Sequence, residues 1–287
     1  VKYNTPTAFR QALEERLKQH ERQTGEPLIR LRKRITFERI MVRLQEKQDS
    51  PWVLKGGFAL ELRLGERARM TKDLDLGVTL GYFQTTEVSA TAIAGKLRED
   101  LSVLNMDHFT FVVPEIGEPD LSIPGIKAFR YTVEARLDGR RFETNRIDVG
   151  LGDPLIPPFD ILESSDLLAF ANIPPATIRT TSRAQHVAEK IHALTRPYED
   201  RINTRVKDLA DIILLLNLGL PKTQVVKKVV TEIFAVRKTH EIPNVIKPPP
   251  TTWASSYSAM AKELEIAETS LDDATARINE YWKKLFP

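Results

Sequence analysis

Apolar positions recur at helical spacing through residues 7–47: Phe9, Leu13 and Leu17, then Ile29, Leu31, Ile35, Ile40 and Leu44. Side chains three or four apart share a helix face, so the stretch predicts two amphipathic helices, broken at Thr24-Gly25-Glu26-Pro27. An apolar tripeptide begins at Trp52, and a short helix is expected over residues 57–64. The period then falls to two at residues 73–79, where Leu74 and Leu76 alternate with Asp73 and Asp75, as in a half-buried strand. Residues 85–101 read as a helix with Thr86 as its N-cap. Residues 108–113, 128–137 and 142–149 read as strands, the last two joined by the hairpin signal Asp138-Gly139. Prolines at 154, 157, 158, 174 and 175 punctuate a connecting region. Beyond it the pattern is nearly all helical, over 183–196, 204–218, 221–238, 255–268 and 270–285, with Lys247-Pro-Pro-Pro250 as a stiff linker. The plan is therefore an N-terminal helical segment (1–48), an α/β domain with a small mixed sheet (49–160) and a helical C-terminal domain (161–287).

A chain of 287 residues has room for two domains, and 41% apolar with 28% charged content is that of a globular protein. No apolar run is long enough to span a bilayer and the N-terminus shows no signal-peptide pattern, so a cytoplasmic location without membrane contact is expected. The absence of cysteine excludes disulfides, thiolate catalysis and Cys-ligated zinc. A net charge of +3 permits a polyanionic partner without requiring one. Basic residues cluster at Arg30-Leu-Arg-Lys-Arg34 and at Arg136, Arg140, Arg141 and Arg146; either cluster reads as a solvated face or as a phosphate-binding surface.

Side chains two apart on a strand point the same way, so Asp73 and Asp75 project together. Such a pair fits Mg²⁺, a hard cation that shares its oxygen ligands with substrate phosphates, and it also fits an ordinary surface strand. The preceding Gly56-Gly57 lets a phosphate approach the backbone, which favours phosphoryl or nucleotidyl transfer. Asp148, in Arg146-Ile-Asp-Val149, would supply a third carboxylate as metal ligand or base, or else face solvent at a strand end. Lys190 sits among Val187, Ile191 and Leu194 and would reach triphosphate oxygens or snorkel to the surface. His192 reads as a satisfied helix histidine. Asp208 and Asp211 share a helix face; Asp208 suits the helix dipole, whereas Asp211 precedes an apolar run and wants a partner such as Lys190. Lys55 and Lys72 flank the strand as phosphate contacts or surface charges.

Together, Lys55-Gly-Gly-x-Ala-Leu60, Arg69-x-Thr-Lys-Asp-Leu-Asp75, Ala188-Glu-Lys190 and Lys207-Asp208-x-x-Asp211 resemble the four motifs of the AbiEii/AbiGii-type nucleotidyltransferase toxins, a group that includes the mycobacterial MenT toxins. The resemblance covers roughly residues 50–215. It implies a polymerase-β-like α/β (α+β) core with a helical C-terminal part. It also implies Mg²⁺ (or Mn²⁺) and an NTP held by Asp73, Asp75 and the glycine motif with its neighbours Lys55, Gly56, Gly57, Thr71, Lys72 and Asp208. Lys190 takes the role of a triphosphate-contacting lysine, and Asp211 that of an essential late aspartate. By the same resemblance the partner is an AbiEi-type antitoxin and the acceptor is the 3′ end of tRNA, whose modification blocks translation. Transfer to a protein or small molecule and a non-catalytic binding module are the rivals. Gly57 stands where the broader superfamily usually has serine, so a hydroxyl contact to phosphate is missing. Thr71 matches a hydroxyl that could be modified; a phosphate there would repel the incoming triphosphate.

Overall fold

The computed structural model describes residues 2–79, 88–103, 107–120, 127–198 and 203–287. The chain divides into two compact units, one of residues 1–63, 70–152 and 161–180, the other of residues 64–69, 153–160 and 181–287.

The first unit begins with α1 (Pro6–Thr24) and α2 (Leu28–Leu44). They part at Gly25, whose φ of 76° ends α1 in the left-handed conformation that glycine adopts without penalty. Among the described residues the mixed sheet has eight strands, β1 (Trp52–Leu54), β2 (Asp73–Val78), β3 (Phe109–Val112), β4 (Glu118–Asp120), β5 (Lys127–Leu137), β6 (Arg140–Leu151), β7 (Asp160–Glu163) and β8 (Thr177–Thr180). Strand order is β3-β5-β6-β2-β1-β8-β7, with β4 on β5. Helices α3 (Gly56–Leu64) and α4 (Ala90–Leu101) complete the unit. The cap expected at Thr86 lies outside the described residues; within them Ser89 caps α4 by accepting from the Ala92 N–H. The stretch expected to be a proline-rich connector holds β7 and β8, which lie at one end of the strand order. Each is only four residues long and follows a proline pair, Pro157-Pro158 or Pro174-Pro175, that reads as connector.

One face of the sheet is apolar. Leu74, Leu76, Ile147, Val149, Tyr131 and Val133 pack with Phe37, Ile40 and Met41 of α2, Phe58 of α3 and Ile93 and Leu97 of α4. Asp138 and Gly139 both have positive φ (57° and 69°), the geometry of a two-residue turn that matches strand twist.

The second unit contains α5 (Arg183–Thr195), α6 (Val206–Leu218), α7 (Thr223–Arg237), α8 (Ala254–Glu263) and α9 (Leu271–Leu285). Helix α5 packs on α6 and α7, and α9 packs on α6, α7 and α8. Helix α8 stops at Glu263, short of the expected 268, because Glu265 turns to φ 55°. His192 is buried and satisfied: Nε2 lies 2.9 Å from the Thr239 hydroxyl and Nδ1 lies 3.3 Å from Arg237 Nη1. Burial, then Arg237, pushes its pKa down to about 3, so the ring is neutral. No described helix is long and apolar enough to cross a membrane.

Buried Glu38 of α2 accepts from the Ser165 hydroxyl (2.7 Å) and N–H (3.3 Å). Burial pushes its pKa up to about 7, against Ser165 and Arg39, from the ordinary 4.5. The folded state thus holds this proton more tightly than the unfolded chain. Its contribution to stability is complete below about pH 4.5 and is lost as pH rises through about 7. Glu38→Gln keeps an acceptor for Ser165, so its stability relative to the parent should rise from pH 5, by about 1.4 kcal/mol per pH unit, and level off above about pH 7. Urea unfolding across this pH range checks this.

Candidate active site

The site in the first unit is built by strand pairing. Parallel β2 and β6 align Asp73 with Arg146 and Asp75 with Asp148. Leu74, Leu76, Ile147 and Val149 are all buried, so alternation turns Asp73, Asp75 and Asp148 to the other face of the sheet. Asp73 Oδ1 is buried and accepts no hydrogen bond, and Arg146 Nη1 stands 3.9 Å from it. Asp148 is held bidentately by Arg130 of β5, its antiparallel register partner: Nε donates to Oδ1 and Nη2 to Oδ2, both at 2.7 Å.

Behind Asp75 lies the glycine turn. The Lys55 N–H donates to the Asp75 carbonyl (2.9 Å) and the Gly57 N–H to Asp75 Oδ2 (3.4 Å). Gly56 has φ 62°, and a Cβ there would sit 1.8 Å from Asp75 Oδ2. The glycine is therefore required first by the carboxylate packed on it. Lys55 is buried, while Lys72 is exposed. Thr71 is also buried, and its hydroxyl donates to the Asp73 carbonyl (3.1 Å), so modification of it needs local opening. Asp73 and Asp75 fit a divalent cation: an oxygen without a hydrogen bond is the atom such an ion would satisfy. Asp148 as it stands is committed to Arg130. Among the described residues no group of three His, Asp or Glu side chains is disposed to hold a metal.

The second unit holds the other predicted residues. Lys190 Nζ lies 2.7 Å from Asp208 Oδ1 and 2.8 Å from Asp211 Oδ2. Arg69 donates to both Asp211 oxygens, Nε at 2.9 Å and Nη2 at 2.8 Å. Burial pushes Asp211 up, but Lys190 and Arg69 outweigh it and hold its pKa at about 2. Burial likewise opposes the charge on Lys190, and Asp208 and Asp211 overcome it, raising the lysine above its ordinary range. Asp208 also lies in the first turn of α6, where the helix dipole favours it. Arg69 stands in the quoted motif without an assigned role; its signal was spacing from Asp73 alone. Arg205, which reaches Asp208 at 3.4 Å, begins the stretch that holds Asp208 and Asp211 but had no role assigned, and Arg130 carried no motif.

The basic run at residues 30–34 is paired with acids. Arg30 and Arg34 pair with Glu26 and Glu61, Arg32 with Glu14, and Lys33 with Glu143. Acids from α1, α3 and β6, together with Glu26, neutralise it, a convergence that no local pattern shows. Arg140, Arg141 and Arg146 of β6 are exposed, and exposed Arg136 pairs with Glu134.

The family model described as nucleotidyl transferase AbiEii toxin, type IV toxin–antitoxin system, matches residues 39–286. The chain belongs to the AbiEii family. It is thus a nucleotidyltransferase toxin of the type IV toxin–antitoxin class, which implies an antitoxin partner and a nucleoside triphosphate substrate. Among solved structures it is similar to MenT4, a nucleotidyltransferase toxin from Mycobacterium tuberculosis. The TM-score is 0.56 at 15% identity, covering 94% of this chain and 88% of that one, a likeness of fold. An antigenic nucleotidyltransferase-like protein from Paracoccidioides brasiliensis matches at TM-score 0.41 and 16% identity, over 73% of this chain and 95% of that one, too weak to carry an argument. No curated protein matches in sequence.

Two outcomes are expected of these AbiEii residues. Gly56→Ala should displace Asp75 and lower nucleotidyl transfer by about 100-fold, the usual cost of a misplacement near 1 Å, as read by steady-state kinetics. Lys190→Met removes the partner shared by two buried carboxylates, leaving Asp211 to Arg69 and Asp208 to Arg205, and should cost up to about 3 kcal/mol of stability, measured by chemical denaturation.

Proposed function

We propose that the chain transfers a nucleoside monophosphate from an NTP to the 3′ end of tRNA, blocking translation. The observation that carries this reading is the alignment of Asp73, Asp75 and Asp148 on one face of β2 and β6, beside the Gly56 turn. Asp73 and Asp75 would hold Mg²⁺ or Mn²⁺, with Asp148 as third ligand or base. Such an ion, when bound, neutralises phosphate charge and makes the attacking hydroxyl more acidic. The 3′ oxygen bonds to the α-phosphorus as the bond from that phosphorus to the bridging oxygen breaks. Pyrophosphate leaves with the electron pair, and the hydroxyl proton passes to Asp148 or to water.

The roles of Lys190 as a triphosphate contact and Asp211 as an essential residue rest on the family motifs. The ion-pair network supports a narrower task for Asp211, orienting Lys190 and Arg69. Lys55, Gly57, Thr71, Lys72 and Asp208 are proposed as nucleotide-site residues on the same grounds. An AbiEi-type antitoxin is the proposed partner, and the cytoplasm the proposed location. Exposed Arg140, Arg141 and Arg146 are the proposed contacts to the tRNA backbone.

A protein or small-molecule acceptor is the second reading. Neutralisation of residues 30–34, which shrinks the basic surface, favours it.

Incubation with each α-³²P-labelled NTP, total tRNA and Mg²⁺ is expected to label tRNA, and Asp75→Ala to abolish the label. Label on protein instead would transfer the assignment to the second reading. Binding of tRNA should weaken steeply with added salt.

A further inference from the structure

The guanidinium of Arg130 occupies both oxygens of the carboxylate that would complete the metal-binding set. In cross-strand register the face reads Asp75, Asp148, Arg130 and Glu118 across β2, β6, β5 and β4, and Asp73, Arg146 and Thr132 one row along. Arg130 keeps 35% of its side chain exposed and Asp148 15%, so this ion pair lies on the open face of the sheet. The pair is bidentate, but the exposed guanidinium can be reached by a competing oxyanion, which a fully buried pair cannot. A phosphate presents the same two-oxygen edge to a guanidinium and carries charge enough to compete for it.

Position indicates which phosphate. The Gly56 turn approaches Asp75 from the β1 side of β2, whereas Arg130 lies two strands away on the opposite side, about 10 Å across the sheet. A triphosphate on the glycine side leaves the β6–β5 side to the other reactant. Arg146, the register partner of Asp73, lies on that side and is 59% exposed.

Resting on the proposed reaction, we infer that Arg130 binds a backbone phosphate of the polynucleotide acceptor, and that this capture releases Asp148 to join Asp73 and Asp75. The acceptor would thereby complete the carboxylate set that acts on it, and in its absence the site stays incomplete. Arg130 is in this sense a positioning residue for Asp148 and a binding residue for the acceptor.

Titration with Mn²⁺ alone, followed by electron paramagnetic resonance, tests the release without any acceptor. Arg130→Ala should bind Mn²⁺ about tenfold more tightly than the parent, and the gain should vanish in the Arg130→Ala/Asp148→Asn double variant. Equal Mn²⁺ affinity in the folded parent and Arg130→Ala overturns the gate. Binding of total tRNA as a function of salt tests the phosphate. Arg130→Ala should lower the slope of log K against log salt by about 0.7, one phosphate contact on a single strand, whereas Arg130→Lys, which keeps the charge, should keep the slope. An unchanged slope overturns the assignment to the acceptor. Because the Mn²⁺ arm needs neither tRNA nor turnover, failure of the gate and failure of the proposed reaction leave different records.

Discussion

The site depends on the parallel pairing of β2 with β6 in a single register. That register sets Asp75 beside Asp148 and leaves Leu76 beside Val149. The same alternation that buries the leucines, isoleucine and valines presents the carboxylates, so core packing and placement of the acids are one constraint. A slip of one residue would turn the acids inward, at a cost no small domain could bear. The β1–β2 pairing fixes the other side, bringing Gly56 so close to Asp75 that no side chain fits between them.

Around this frame, arginine serves as the counter-ion, and burial decides what each pair does. Arg43 and Asp107 are fully buried, with Arg43 also donating to the carbonyls of Arg39, Val103 and Phe109. Removing one partner of such a pair costs about 3–5 kcal/mol, so it belongs to the architecture. A pair with one partner open to solvent can be reached by a competing anion. Arg130 with Asp148 is of the second kind, and Asp211, buried between Lys190 and Arg69, is of the first.

Membership of the AbiEii family rests on a match over residues 39–286, and the likeness to MenT4, at 15% identity, adds the fold. At that divergence, chemistry has to be read from local geometry. The geometry separates the predicted residues by environment: Asp73 and Asp75 on a sheet face, Lys190 with Asp208 and Asp211 in a buried ion-pair network within the helical unit.

Much of this was legible in the sequence, because helical and strand periodicities are local. They marked α1, α2, the alternation of β2, the β5–β6 hairpin and the pairing of Lys190 with Asp211. They missed β7 and β8, short strands that follow proline pairs, and they could not show that glutamates distant in sequence would neutralise residues 30–34. The sharpest case is Arg130. Counted from the Asp138-Gly139 turn, where Leu137 faces Arg140, the hairpin would set residue 130 opposite residue 147, in the core. The irregularity between Ala135 and Arg136 shifts the register by one and sets Arg130 opposite Asp148. The sequence by itself determined which residues could carry the chemistry, since alternation and motif spacing are properties of neighbours along the chain. Which arginine meets which aspartate was decided only by the tertiary structure, because register and bulges are set by packing between strands distant in sequence.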